Sequence, residues 1–233
     1  MNEYRKMSID ELVTEIERCP CACGKCHTDP RYEYARRLWY GMGATEDKRA
    51  AFSYFKEAAD FGHEGAQWRT GICYYNGEGI PQDFEKALRY FTKLSKCHAQ
   101  QQAANLWMGK CYLKIEQRDE AKAMEHLLKA ANDSRVSTQG DEGSEAQLLV
   151  GVCYYRGFIV EQDFTKAFDY FEKAALYNRD ACYYLAECYR EGKGTKANME
   201  MYRFWHSKYF ESVTVGLEQK ADEILGIRGN INE

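Results

Sequence analysis

The stretch GICYYNGEGI at residues 71–80 has a near copy, GVCYYRGFIV, at residues 151–160. The two copies lie 80 positions apart, and the same offset brings QDFEKALRYF (82–91) onto QDFTKAFDYF (162–171). Weaker copies of the same frame precede, separate and follow this pair. Five units of about 36 residues therefore extend from about residue 30 to about residue 210, and a fixed period of this length is the signature of a repeat protein.

Each unit follows the same local pattern. A small residue is followed three positions later by an aromatic one, as in Gly71 and Tyr74, which is the spacing of one helical face. A glycine-containing turn and an N-capping Asp or Asn then lead into an amphipathic second helix. Two antiparallel helices cannot bury their apolar stripes alone, so neighbouring units must stack. The capping positions are Asp47, Asp83, Asp119, Asp163 and Asn198.

The pattern predicts an all-α protein, a right-handed α/α superhelical solenoid of about five helix-turn-helix repeats with capping helices at both ends. Ser8 and Glu11 form a capping box for the N-terminal helix, and LEQKADEIL supplies the C-terminal one. Residues 132–145 are polar and rich in turn formers, which indicates an enlarged connection. We expect the N-terminal helix and a cysteine-rich loop over residues 1–28, and the C-terminal helix and tail over residues 213–233. The five repeats are expected over residues 29–212, at about 29–64, 65–102, 103–144, 145–179 and 180–212.

This pattern resembles the Sel-1-like repeat family, which is related to the tetratricopeptide repeats. The resemblance implies a helical solenoid that presents surfaces to other proteins rather than an enzyme. It is carried in the second unit by Ala66, Gly71, Tyr74, Gly77, Gly79, Asp83, Lys86, Ala87, Tyr90 and Phe91, and in the fourth by Ala146, Gly151, Tyr154, Gly157, Asp163, Lys166, Ala167, Tyr170, Phe171, Ala174 and Ala175.

Composition excludes several classes of function. A net charge of -4 gives no basic surface of the kind that nucleic acid requires. No apolar run approaches the ~20 residues that span a bilayer. The N-terminal residues carry acids where a signal peptide has its apolar region, so we expect a cytoplasmic protein. The five histidines are scattered and match no catalytic motif, and His126 stands at an aromatic position of the repeat, where we expect it to be packed.

The ten cysteines fall into two groups. Cys73, Cys111, Cys153 and Cys188 recur at one position of four successive units, which predicts reduced thiols that act as small apolar residues. Secreted cysteine-rich members of the resembled family cross-link their helices and are linked to penicillin binding. That resemblance keeps a β-lactam-binding hydrolase as a remote alternative. Only Cys182 and Cys188 share a unit here, which does not favour it.

The second group is CPCACGKCH, residues 19–27. Cys23 and Cys26 have the spacing of a zinc knuckle or a redox pair. Cys19, Cys23, Cys26 and His27 are candidate ligands of one zinc ion, although tetrahedral sites normally draw on two separated chain segments. A zinc-dependent or redox-sensing regulatory module and a loop with incidental thiols both stay open. Apart from this cluster, we expect no cofactor.

The resemblance to tetratricopeptide repeats implies that the first helix of each unit lines a groove. Aromatic residues beside Arg and Lys are typical of protein recognition. We therefore predict an adaptor or scaffold that binds another protein or peptide, both acidic and apolar, and carries out no bond chemistry. An inhibitor or immunity-type binder is the other alternative, and the oligomeric state stays open. The predicted partner-binding residues are Tyr32, Arg36, Trp39, Tyr40, Trp68, Ile72, Tyr75, Lys110, Lys114, Tyr155, Arg156, Tyr183 and Arg190.

Overall fold

The computed structural model describes residues 3–18, 28–133 and 141–210, and these residues form helices and no strand. The all-helical fold is thus confirmed. The chain divides into unit 1, residues 1–97, and unit 2, residues 98–233. Unit 1 contains a 3-10 turn at Glu3–Lys6 and helices α1 (Ile9–Glu17), α2 (Thr28–Tyr40), α3 (Lys48–Asp60), α4 (Glu64–Asn76) and α5 (Phe84–Leu94). Unit 2 contains a 3-10 turn at His98–Gln100 and helices α6 (Gln101–Lys114), α7 (Glu120–Ala131), α8 (Asp141–Arg156), α9 (Phe164–Ala174), α10 (Arg179–Glu191) and α11 (Met199–Phe210).

Helices α2 to α11 pair in sequence into five helical hairpins, as the repeats predict. The first helix of each hairpin is called the A helix (α2, α4, α6, α8, α10) and the second the B helix (α3, α5, α7, α9, α11). In unit 1, α3 packs on its own A helix and on the next one, α4. In unit 2, α7 and α9 do the same. These three B helices are therefore each held from two sides, which is how stacked hairpins bury their apolar stripes.

The capping prediction is confirmed in all five hairpins. The Asp83 carboxylate accepts a hydrogen bond of 2.8 Å from the backbone N–H of Lys86, and Asn198 accepts from the N–H groups of Glu200 and Met201. A cap of this kind contributes about 1 kcal/mol to helix stability. The other three caps are Asp47, Asp119 and Asp163.

Two glycines of the repeat show why small residues are required. A Cβ atom on Gly71 would lie 2.7 Å from the ring of Phe91, so the A and B helices of that hairpin touch at this point. Gly79 has φ of +75°, and a Cβ there would lie 2.7 Å from the carbonyl oxygen of Lys48 in the preceding hairpin. The turn of one repeat thus rests directly on the backbone of the repeat before it.

The N-terminal helix α1 is anchored to the first hairpin. Ser8 and Glu11 form the predicted capping box, and Leu12 is fully buried. The guanidinium of Arg37 donates to the carbonyl oxygens of Met7 and Tyr4, at 2.5 and 3.1 Å. The predicted C-terminal helix lies outside the described residues, and the superhelical handedness stays a prediction.

The connection expected over residues 132–145 is shorter than predicted. Helix α8 already begins at Asp141. Ser144 is buried, and Gly143 lies so close to the amide of Gln102 that a Cβ would not fit. These polar residues form part of a packed helix start, so composition alone overestimated the length of the connection.

The repeated cysteines are packing residues, as predicted. Cys73, Cys111, Cys153 and Cys188 are buried and form no disulfide. Burial raises the pKa of the Cys73, Cys153 and Cys188 thiols to about 12. They therefore remain protonated and fill the narrow space between helices as small apolar groups.

Candidate partner-binding surface

The predicted partner-binding residues of unit 1 concentrate on one surface formed by helices α2 and α4. On α2, Tyr32, Arg36 and Tyr40 follow one another at four-residue intervals and so share a helix face. This surface is called the α2–α4 face, and it comprises Tyr32, Arg36, Tyr40, Trp68, Arg69, Ile72 and Tyr75.

Tyr40 and Arg69 join the two helices at the surface. The Arg69 guanidinium donates a hydrogen bond to the Tyr40 hydroxyl, and its carbon lies 5.5 Å from the centre of the ring. Tyr40 is nevertheless 50% exposed, which is a large exposed fraction for an aromatic side chain. The pair therefore offers a flat apolar surface next to a cation.

Tyr32 lies at the end of the α2–α4 face opposite Tyr40, where helix α4 begins. Its ring stacks on the imidazole of His63 with centroids 4.4 Å apart. His63 Nδ1 accepts a hydrogen bond of 3.0 Å from the backbone N–H of Ala66, and its Nε2 lies 3.2 Å from a carboxylate oxygen of Asp29. Burial lowers the pKa of His63 despite that carboxylate. The histidine acts as the N-cap of α4 and holds Tyr32 in place.

Arg36 lies between Tyr32 and Tyr40 on helix α2, and Glu33 neutralises its charge. Glu33 is only 2% exposed and accepts hydrogen bonds from Arg36 at 2.9 and 3.0 Å and from Arg37 at 3.0 Å. Burial alone would raise the pKa of this carboxyl, but the two guanidinium groups outweigh burial and lower it. Among the described residues, no carboxylate forms an ion pair with Arg69. Arg69 is therefore the cation of this face that a partner's carboxylate fits best.

The remaining predicted residues of unit 1 are fixed by ring contacts. Trp39 is buried and packs 6.0 Å from the ring of Phe55. Its burial leaves little surface for a partner. Trp68 and Tyr75 are half-buried, with their rings edge-on to Phe91 and Phe84. Ile72 is also half-buried.

Several of the corresponding positions of unit 2 are buried or paired within the chain. Lys110 is 3% exposed, and its ammonium lies 2.6 Å from a carboxylate oxygen of Glu145 and 4.2 Å from the ring centre of Trp107. Lys114 is half-buried and Arg156 is exposed. The aliphatic residues that stand on α6 and α8 at the repeat positions of Trp68, Ile72 and Tyr75 are all buried, namely Leu106, Leu113, Leu148 and Val152.

The polar groups near the end of unit 2 are likewise engaged within the unit. The Lys193 ammonium donates to the Tyr155 hydroxyl at 3.2 Å. Arg190 forms ion pairs with Glu187 and Glu191. The ring of Tyr183 lies 5.5 Å from that of Tyr209. These contacts leave less unsatisfied charge than the sequence suggests.

The candidate metal ligands Cys19, Cys23, Cys26 and His27 lie outside the described residues, so the zinc site stays a prediction. Within the ranges 3–18, 28–133 and 141–210, no group of three or more His, Cys, Asp or Glu residues is placed to hold a metal ion. No helix in the same ranges has the length and apolar character needed to cross a membrane.

Sequence reasoning missed two residues of the α2–α4 face. Arg69 occupies the repeat position two before the small residue, where Trp107, Leu149 and Tyr184 stand in later repeats. A charge at a position that is apolar or aromatic in the three later repeats was the available signal. His63 had no such signal, because its capping role depends on the turn that ends α3.

Comparison with known proteins identifies the repeat. A model of the Sel1 repeat matches residues 31–63, 65–97, 102–134, 144–176 and 179–208. The DAP3-binding cell death enhancer 1 of Rattus norvegicus is 31% identical over 158 residues, which cover 66% of this chain and 29% of that protein. Chitin synthase regulatory factor 2 of Schizosaccharomyces pombe is 30% identical over 167 residues, which cover 69% of this chain and 32% of that protein. The chain thus spans about a third of the length of these relatives.

Comparison with solved structures gives the same fold. The crystal structure of a Sel1 repeat protein from Oxalobacter formigenes superposes with a TM-score of 0.69 at 21% identity, covering 94% of this chain and 86% of that one. Five matched repeats account for most of the sequence. The chain therefore belongs to the Sel1 repeat family, whose helical hairpins are those described above.

Proposed function

We propose that this protein is an interaction module that holds a partner polypeptide on the α2–α4 face and carries out no bond chemistry. The observation that carries the proposal is the half-exposed Tyr40 ring beside the Arg69 guanidinium. Exposed aromatic rings and arginines are among the residue types that contribute most to protein–protein binding energy.

The relatives support the general role. One is named for binding DAP3, and the other is named as a regulatory factor of chitin synthase. Both names describe proteins that act on another protein. The shared region is the repeat region, so we infer that protein binding is the property this chain has in common with them.

The charges on the α2–α4 face define the partner more narrowly than the sequence did. Of the two arginines on this face, Arg36 already forms an ion pair with Glu33, so a run of acidic residues would find only Arg69 available there. Arg69 fits a single carboxylate, and a charge-assisted hydrogen bond there would fix its position. Tyr40 and Ile72 fit apolar side chains next to that carboxylate. The proposed ligand is a peptide with one acidic residue flanked by apolar ones.

Selection from a random peptide library displayed on phage, with the full chain as target, tests this function. We expect the selected peptides to share one Asp or Glu next to aromatic or aliphatic residues. Binding of a selected peptide, measured by calorimetry, should weaken at least about tenfold in Arg69→Ala and in Tyr40→Ala. Truncation of a side chain that contributes strongly to binding costs about 2 kcal/mol.

Arg156→Ala is the matched control, since it removes an exposed arginine from unit 2 instead of unit 1. It should leave the affinity unchanged. If the selected peptides bind Arg69→Ala and Tyr40→Ala as tightly as the unaltered protein, or lose affinity only in Arg156→Ala, the assignment to the α2–α4 face is wrong.

A further inference from the structure

The outer face of helix α5 in unit 1 carries a stripe of cations. Lys86, Arg89, Lys93 and Lys96 follow one another at intervals of three or four residues, which places them on one side of the helix. Lys96 lies just beyond the helix end, in a turn that continues it, and its N–H donates to the Lys93 carbonyl oxygen at 3.3 Å. All four residues are exposed. They are called the α5 stripe, which extends over about 15 Å at a rise of about 1.5 Å per residue.

Acids within unit 1 neutralise only part of the α5 stripe. Lys86 lies 2.9 Å from the carboxylate of Asp83, the N-cap of the same helix. Lys93 lies 3.6 Å from the carboxylate of Asp60, which already forms a closer ion pair, at 2.8 Å, with Lys56. The charge of Asp60 is therefore shared between two lysines.

Arg89 and Lys96 have no such counter-ion. In the part of the chain that the structure describes, neither of them forms an ion pair with a carboxylate. Glu85 stands one turn before Arg89 on the same helix, but these two side chains are not paired. Both charges are therefore available to another molecule, and the loosely held Lys93 lies between them.

Helices α7 and α9 hold an acid where α5 holds Arg89. Counted from the N-cap, Glu125 and Asp169 take this place. Glu125 forms an ion pair of 2.5 Å with Lys129, four residues later, and a pair at this spacing stabilises a helix. On α5 the same two places hold Arg89 and Lys93, and like charges at this spacing destabilise a helix. The stability of α5 therefore gives no reason for an arginine at this place.

The width and the flanks of the α5 stripe define what it fits. The stripe is one side chain wide, with Glu85 along one side of it and Asp60 along the other. A wide anionic surface, such as a membrane, would meet these acids together with the cations. A single helix with acidic residues at intervals of three or four has the same spacing as the stripe, so its carboxylates would meet the cations alone.

We propose that the α5 stripe binds an acidic helical segment of a partner protein, whose carboxylates pair with Arg89, Lys93 and Lys96. The site shares no residue with the α2–α4 face, and its ligand carries several acids instead of one acid among apolar residues. The two proposals therefore stand independently of each other. Each contact is an exposed ion pair of small individual strength, so several pairs act together and salt screens them.

A labelled model peptide, added to the full chain, tests this proposal. The peptide is an alanine-rich helix with four glutamates spaced as the four cations are, and fluorescence anisotropy at low ionic strength follows its binding. Arg89→Asp should weaken the binding about fivefold, because it replaces an attraction by a repulsion at one exposed pair. An increase in salt from about 20 to about 200 mM should weaken the binding at least about tenfold.

Three controls separate the α5 stripe from general effects of charge. Lys173→Asp makes the same change of charge on α9 in unit 2 and should leave the affinity unchanged. A peptide with glutamine in place of glutamate should not bind. Arg69→Ala should also leave the affinity unchanged, which separates this site from the α2–α4 face. Arg89→Asp itself should be as thermally stable as the unaltered chain, since α9 has an aspartate at that place.

Three results would overturn the proposal. One is a glutamate peptide that fails to bind, or that binds Arg89→Asp as tightly as the unaltered chain. Another is an equal loss of affinity in Arg89→Asp and Lys173→Asp, which would assign the binding to net charge. The third is stronger binding of phosphatidylserine vesicles or duplex DNA than of the peptide, with loss in Arg89→Asp, which would assign the stripe to a membrane or to nucleic acid.

Discussion

Units 1 and 2 use the same repeat frame but differ at the outward positions of their A helices. In unit 1 these positions hold aromatic rings that stay partly exposed, such as Tyr40, together with a cation at Arg69. In helices α6 and α8 of unit 2 they hold mainly buried aliphatic residues and the pair of Lys110 and Glu145, besides the exposed Arg156. The frame fixes the core of each hairpin and leaves a few positions to vary, and the proposed function rests on those positions.

The largest expected effect comes from the buried carboxylate of unit 1. Glu33→Leu removes the acceptor shared by Arg36 and Arg37, and the Arg37 guanidinium that it leaves behind is largely buried. Removing one member of a buried ion pair costs about 3 kcal/mol, so the free energy of unfolding of unit 1 should fall by about that amount. Chemical denaturation monitored by circular dichroism measures the change.

Lys110→Met is the matching substitution in unit 2. It removes the buried member of the pair, but Glu145 is partly exposed and can turn to water. We expect a loss of about 1 kcal/mol. Equal losses from Glu33→Leu and Lys110→Met would contradict the contrast drawn between the two units.

A second difference lies in the turn between A and B helices. Gly79 of unit 1 is replaced by Ile159 at the same place in unit 2, and both have positive φ, +75° and +59°. Gly79→Ala would force a Cβ against the Lys48 carbonyl and should cost about 2 kcal/mol. Ile159→Val keeps a Cβ where one already fits, removes a single methyl group from a side chain packed on the core, and should cost less than about 1 kcal/mol. Thermal unfolding of the two variants compares them, and an equal loss would show that the close approach in unit 1 has no energetic weight.

The smallest expected effect is a pH dependence. Burial lowers the pKa of His63 in unit 1 and of His126 in unit 2. Below the ordinary histidine pKa near 6.5, the unfolded chain therefore binds more protons than the folded chain. The free energy of unfolding should therefore be constant above about pH 7 and fall as the pH drops through 6, by less than about 1 kcal/mol for each histidine. Denaturation at a series of pH values measures the slope.

For each histidine, one substitution should remove its contribution to the pH dependence. His63→Asn keeps an N-cap for α4, and His126→Tyr restores the aromatic residue found at that position in the second and fourth repeats. His126 is packed as predicted, with its ring stacked on Tyr112 at 5.6 Å. A slope that both variants retain would assign the pH dependence to other groups.

The repeat frame could be predicted because it depends on residues that few other residue types can replace. Gly71 must be small because Phe91 occupies the space beside it, and Asp83 must accept from a helix N-terminus. The surface was harder to predict. Lys110 looks like a groove cation in the sequence, but its partner Glu145 lies 35 residues away, and only the packing of α6 beside α8 brings them together. Arg69 and Tyr40 meet in the same non-local way.

The buried thiols also make the protein a convenient object for measuring local opening. Cys73, Cys153 and Cys188 are shielded and protonated at neutral pH, so a thiol-specific reagent reaches each of them only when its own hairpin opens. The rate of modification at each position then reports the free energy of opening there. Thiol modification at these cysteines can thus compare the local stability of the second, fourth and fifth hairpins.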